Sequence, residues 1–239
     1  MLSHRHIALV GLTIVILTLQ LTFATEPEEA FTPPEGLRDG WYARIDTSDG
    51  RIIARLLPEQ SPQSVAHFTA LADGRMEWFD FADGEVYKRP YYDGIRVHRA
   101  LAGRHFEVGD HRGTGRGAPD ILVPLEGLGP VNFSQAGRLG MTREGARVSG
   151  VVFFVTGGAE PWLNGHHPCF GVVISGLDVA QRISQVKTYS NDRPVDPPYL
   201  ERVRIFSVGE PAALPEPGYH REHRIQFKAR PEVGQTEPK

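Results

Sequence analysis

The length of its apolar runs constrains this chain most. Residues 40–46, 50–57, 150–156, 169–174 and 200–208 are rich in Val, Ile, Leu or aromatic side chains, and none exceeds nine residues. Runs this short, bounded by Gly, Asn, Asp or Pro, read as strands. Thr47-Ser48-Asp49-Gly50 lies between the first two, and its Asp-Gly pair supplies the positive φ of a hairpin turn. Residues 138–141 add a further strand, 150–156 reads as the central one, and Asn164-Gly165 turns the chain into 169–174. Only two stretches have helical spacing. In the first, Ser61 is a natural N-cap, Pro62 suits the first turn and Gly74 ends the helix; Val65, Phe68, Leu71 and Ala72 share one face. His67 falls off that stripe and is expected in solvent. The second, 177–184, is expected to turn Leu177, Ala180 and Ile183 inward. Many short strands with two short helices predict a mainly β domain, an antiparallel barrel closed on itself and capped by the helices.

Residues 91–110 hold the chemistry. Asp93-Gly94 makes a turn, after which Ile95, Val97 and Arg99 alternate on one side of a short strand. A guanidinium on an apolar face is costly to bury unpaired, and Glu107 offers a carboxylate across a Gly-containing loop. The pattern suggests a site, and an arginine paired with a structural acid fits it equally well. Other classes find little support. The run Gly113-Thr114-Gly115-Arg116-Gly117 lacks the Gly-Lys-Ser/Thr ending of a phosphate loop and has no helix pattern behind it. His98, His105, His111, His166 and His167 match no helix-borne zinc spacing, and His98 is expected on the face opposite Arg99, so no metal or cofactor is expected. No Gly-x-Ser-x-Gly elbow is present. A net charge of −3 gives no reason to expect nucleic acid as a partner. The one cysteine, Cys169, lies in an apolar run and reads as a buried thiol.

The ends differ from the middle. Residues 1–24 have a basic start at Arg5 and an apolar run from Ile7 to Ala24, with Thr22 and Ala24 at the −3 and −1 positions of a signal-peptidase site. They read as a signal peptide, or as an N-terminal anchor if uncleaved, and place the folded part in the periplasm; a membrane is a partner only in the anchored case. Residues 25–39 read as a Glu- and Pro-rich linker, 40–209 as the folded domain, 75–90 as an inserted loop or small hairpin, and 210–239 as a tail.

The order of these pieces resembles the cyclophilin-type peptidyl-prolyl isomerases. The resemblance runs from Trp41 to Val208 through the first hairpin, the helix from Ser61, and Tyr92-Asp93-Gly94 before Val97-His98-Arg99. It continues through Gly109-Asp110, Gly113-Thr114-Gly115, Leu139-Gly140-Met141, Phe153-Phe154-Val155-Thr156, Trp162-Leu163-Asn164-Gly165 with His167, and Phe170-Gly171. It implies an eight-stranded closed barrel and isomerisation of X–Pro bonds in proline-containing polypeptide segments, here of exported proteins whose folding it assists. Arg99 occupies the family's catalytic position. Phe154, Leu163 and His167 fall where the proline-ring pocket is built, with Trp162 beside it. Thr142, Arg143 and Glu144 match the segment that holds the substrate chain, Arg143 through its backbone. Departures from the pattern imply reduced or altered activity. Arg104 and His105 replace Phe and Met of the pocket wall, Glu107 replaces a Gln that braces the arginine, and Val152 replaces a Gln that contacts substrate. A non-catalytic module that binds proline segments is the alternative, and the two differ in whether Glu107 leaves Arg99 free to reach substrate.

Overall fold

A computed structural model describes residues 31–80, 83–115, 118–119 and 121–218. The expected export segment, residues 25–30 of the linker and most of the tail lie outside them. The chain divides into two compact units, residues 1–37 and 38–239. Of the first, residues 31–37 are described and hold only a turn.

Among the described residues, the second unit carries every helix and strand. In order these are β1 (Gly40–Thr47), β2 (Gly50–Leu56), α1 (Pro62–Ala72), β3 (Trp78–Phe79), β4 (Val86–Tyr87), β5 (Arg99–Leu101), β6 (His105–Val108), β7 (Leu122–Val123), β8 (Arg138–Glu144) and β9 (Arg147–Thr156). A 3-10 turn (Pro161–Leu163), β10 (Cys169–Ser175), α2 (Leu177–Ser184) and β11 (Leu200–Val208) complete the chain. One antiparallel sheet runs β11-β1-β2-β10-β8-β9-β6-β5, with β7 added on β9. β3 and β4 pair separately as a small hairpin within 75–90.

The sheet is an open half-barrel, which corrects the expected closed one: no ladder joins β5 to β11. The gap is spanned by one bridge, Arg96 to Tyr199, and by backbone bonds from Val97 N to Pro198 O (2.8 Å), Leu200 N to Ile95 O (2.8 Å) and Ala100 N to Asp192 O (2.9 Å). Pro194, Pro197 and Pro198 precede β11 and have no N–H to donate, so a continuous ladder cannot form along that edge.

The core lies between the sheet and the helices. Phe68 of α1 sits 5.2–5.3 Å, centroid to centroid, from Tyr92, Phe153 and Phe170. The buried Tyr91 and Tyr92 donate their hydroxyls to Gly109 O (2.8 Å) and Val151 O (2.9 Å), pinning the segment that leads to β5. Gly109 is required there: at φ +116° its backbone approaches so closely that a Cβ would meet Val151 O at 2.6 Å.

Three helix expectations are corrected. α1 is buried on every side from Ser64 to Ala72, and His67 is 1% exposed, its Nδ1 bonded to Gln63 O at 2.8 Å; burial pushes its pKa down. Ser61 holds the N-cap position, its carbonyl accepting from Val65 N (3.0 Å), but its side chain makes no capping bond. Its hydroxyl donates to Cys169 O, and the Glu126 carboxylate accepts the first-turn N–H groups of Gln63 (3.2 Å) and Ser64 (2.5 Å). In α2, Val179 is buried beside Ala180 and Ile183, while Leu177 is exposed.

Candidate functional site

Strand register lays the site out as a row. Arg99 on β5 pairs with Glu107 on β6, Glu107 with Phe154 on β9, Phe154 with Gly140 on β8, and Gly140 with Cys169 on β10. Paired residues share a face, so the guanidinium, the carboxylate and the ring project on one side of the sheet, about 5 Å apart from strand to strand. Arg99 thus leaves the core face that Ile95 and Val97 occupy (2% and 1% exposed), and its side chain is 43% exposed.

The apolar part of the row is a cluster of Phe133, Phe154 and Cys169, edged by Val131 and Leu163. Phe133 and Phe154 pack at 5.3 Å, and a Cβ on Gly140 would overlap both rings, so that glycine is what admits them. His167 meets Phe154 edge-on at 5.4 Å and donates Nδ1–H to Met141 O (3.0 Å); burial pushes its pKa down and keeps the ring neutral. Burial likewise raises the Cys169 thiol to about 11, so it is inert at neutral pH.

The ionic part surrounds Arg99. Its Nη1 donates to Glu107 Oε1 at 2.8 Å, and its Nη2 and Nε reach Asp192 Oδ2 at 3.3 and 3.4 Å. Of the five guanidinium N–H groups this leaves one on each terminal nitrogen without a partner among the described residues. Glu107 also lies 3.3 Å from His105 Nε2 and 3.6 Å from His98 Nε2. Burial alone would raise its pKa, but the bonds from His105 and His98 and the charge of Arg99 hold the carboxyl well below the usual range. His105 is 6% exposed, and its Nδ1 is 2.6 Å from Glu160 Oε1. Burial would lower its pKa, and the two carboxylates outweigh that and raise it. Arg104 donates Nε–H to Glu160 Oε2 (3.0 Å) and lies 4.8 Å above the Trp162 ring.

The remaining expected residues are near but less engaged. Trp162 is 54% exposed at the rim. Val152 lies two positions from Phe154 on the same face of β9, and its carbonyl accepts from Thr142 Oγ1. Arg143, further along β8, donates to Gly145 O and His166 O rather than facing the row. His98 is corrected. It faces Glu107 on the side of Arg99, because β5 begins only at Arg99 and strand alternation does not run through residue 98.

Sequence reasoning missed Phe133, Glu160 and Asp192. The Asn191-Asp192 pair was the available signal for the last: both types tolerate turn geometry, and Asp192, at φ 63°, is the one non-glycine residue with positive φ among those described. Phe133 and Glu160 lie in irregular segments with no periodicity to mark them.

The family model for cyclophilin type peptidyl-prolyl cis-trans isomerases matches residues 42–205. Peptidyl-prolyl cis-trans isomerase A of Mycobacterium tuberculosis is 34% identical over 165 residues, covering 68% of this chain and 91% of its own. Peptidyl-prolyl cis-trans isomerase B of Streptomyces anulatus is 34% identical over 167 residues, covering 69% and 95%. Among solved structures, a cyclophilin type isomerase of Cryptosporidium parvum superposes with a TM-score of 0.60 at 25% identity, over 72% of this chain and all of the other. The chain belongs to the cyclophilin-type peptidyl-prolyl cis-trans isomerase family. It is an isomerase of the peptide bond that precedes proline.

Proposed function

We propose that Arg99 carries the catalysis and that the cluster around Phe154 receives the proline ring. Rotation about an X–Pro bond faces a barrier of about 18–20 kcal/mol because it breaks amide resonance. In the twisted state the prolyl nitrogen regains a lone pair and accepts a hydrogen bond; in the planar state it does not. A guanidinium aimed at that nitrogen therefore binds the transition state selectively, the condition for acceleration. The observation that carries this reading is the bracing of Arg99. Glu107 and Asp192 grip it from two sides, and one N–H on each terminal nitrogen remains for substrate. Glu107 thus holds the arginine without occupying all of it.

The proline ring would lie on Phe154 and Phe133, between Leu163 and His167, with Trp162 and Val152 beside it. His105 and Arg104 would form a more polar wall than Phe and Met give, so affinity for a bare proline ring is reduced. Arg143 would contribute through its backbone. No nucleophile or proton transfer is needed. The apolar segment at residues 7–24 and the small residues at Thr22 and Ala24 support export to the periplasm, with proline-containing segments of exported proteins as substrates. Amino-terminal sequencing of the protein from a periplasmic fraction tests this, and a mature chain beginning at Met1 in the cytoplasm refutes it.

The Cryptosporidium parvum protein was also solved in the presence of the dipeptide Ala-Pro, which makes Ala-Pro peptides the first substrates to try here. Exchange NMR should show faster cis/trans interconversion of such a peptide on addition of the protein. Peptide shifts that report binding without faster exchange would instead support the non-catalytic module.

A further inference from the structure

We propose that His105 rests as an imidazolium clamped between Glu160 and Glu107, and that its charge positions Glu107 and, through it, the Arg99 guanidinium. The inference rests on the role given to Arg99 above. Both ring nitrogens of His105 face a carboxylate oxygen, Nδ1 at 2.6 Å from Glu160 Oε1 and Nε2 at 3.3 Å from Glu107 Oε1. A neutral imidazole has one N–H and one lone pair, so it would set a lone pair against an anionic oxygen on one side or the other. Only the doubly protonated ring satisfies both. Glu160 is fully buried, and His105 and Arg104 take one oxygen each. A carboxylate so enclosed is costly without its cations, so it holds the proton on His105 in place.

The consequence reaches Arg99 through one atom. Glu107 Oε1 is shared between His105 Nε2 and Arg99 Nη1, and Glu107 Oε2 lies toward His98 Nε2. The imidazolium therefore competes with the guanidinium for Oε1 and fixes the orientation of the carboxylate, whose other oxygen faces His98. The elements around His105 supply few other charges. Glu107 comes from its own strand and Glu160 from the segment before the 3-10 turn. β9 supplies the Phe154 ring at 5.1 Å, and the turn before β10 supplies His167, kept neutral by burial. Arg99 and His98 act on it through Glu107, and Arg104 through Glu160. Loss of the proton leaves a lone pair facing Glu107 Oε1, and the carboxylate turns fully onto Arg99. Isomerisation moves no proton, yet here its rate depends on pH. His105 is a positioning residue, and its raised pKa sets where the rate falls.

The test titrates the full-length chain. Nitrogen-15 NMR follows the His105 imidazole, assigned by its loss in His105→Gln, while exchange NMR gives kcat and KM for an Ala-Pro peptide from about pH 6 to about pH 9. Expected are imidazolium shifts on both nitrogens at neutral pH and a midpoint above 6.5. Across the same midpoint kcat should fall about fivefold with KM nearly constant. Glu160→Gln should lower both midpoints together. A neutral His105 ring at pH 7, or a kcat that stays flat while the ring titrates, overturns the proposal; both are read on the wild-type chain, with His105→Gln used only for the assignment. No acceleration at any pH, with the imidazole titration intact, overturns the Arg99 reading and with it the positioning role, while leaving the clamp itself established.

Discussion

The two halves of the site are built on different physical terms. The half around Phe154, Phe133 and Leu163 is held by volume: a glycine at 140 makes room, and rings pack at 5.3 Å. The half around Arg99 is held by charge balance, with Glu107, Glu160 and Asp192 set against Arg99, Arg104 and His105. One half should respond to side-chain size and be indifferent to pH; the other should respond to protonation and tolerate a change of volume. In the function proposed above, affinity for proline is assigned to the first and acceleration to the second.

Perturbations of each half can separate them. The largest expected effect is Phe154→Ala, which removes a ring that is 2% exposed and should cost about 3–5 kcal/mol in denaturant unfolding. Its loss should be the same at pH 5 and pH 8 (about 1.5 units either side of histidine's ordinary value). Gly140→Ala forces a methyl onto two rings and should cost about 1–3 kcal/mol, with a raised KM.

The ionic half should show instead in how stability varies with pH. Glu107 has a depressed folded-state pKa, so its contribution is present above 4.5 and lost as pH falls below it. His105 has a raised one, so its contribution is full below 6.5 and lost as pH rises through the folded-state value. The Tm difference between wild type and Glu107→Gln should therefore be greatest between those two pH values and shrink on either side. A constant difference would contradict the division. Smallest is Trp162→Ala: with the ring 54% exposed, stability should change by about 0.5 kcal/mol or less, and only KM should rise.

Much of the fold was legible because it is local. The first hairpin, the end of α1 at Gly74 and the strand ahead of Phe154 each follow from a turn signal or a period within one segment. Some errors were local, as with His98, which lies just ahead of β5, but most came from contacts between segments far apart in sequence. Glu126 supplies the first-turn bonds that the Ser61 side chain does not make, reaching Ser64 from 62 residues away, and the burial of His67 depends on what packs against the side of α1 that its apolar stripe does not mark. Whether the sheet closed depended on prolines just before the last strand. In the site, Arg99, Glu107 and Phe154 stood out by spacing and resemblance. Asp192 and Glu160 did not, since a carboxylate acquires meaning only when a cation from another part of the chain is brought to it. Such pairing lies 93 residues apart for Arg99 and Asp192.

The most direct test is line-shape NMR on one Ala-Pro peptide with wild type and Arg99→Ala, giving the Kd and the bound-state exchange rate from the same samples. The account predicts a Kd within a few-fold of wild type and an exchange rate lower by about 100-fold or more. An exchange rate that survives the substitution would contradict it, because nothing in the apolar half distinguishes the twisted bond from the planar one.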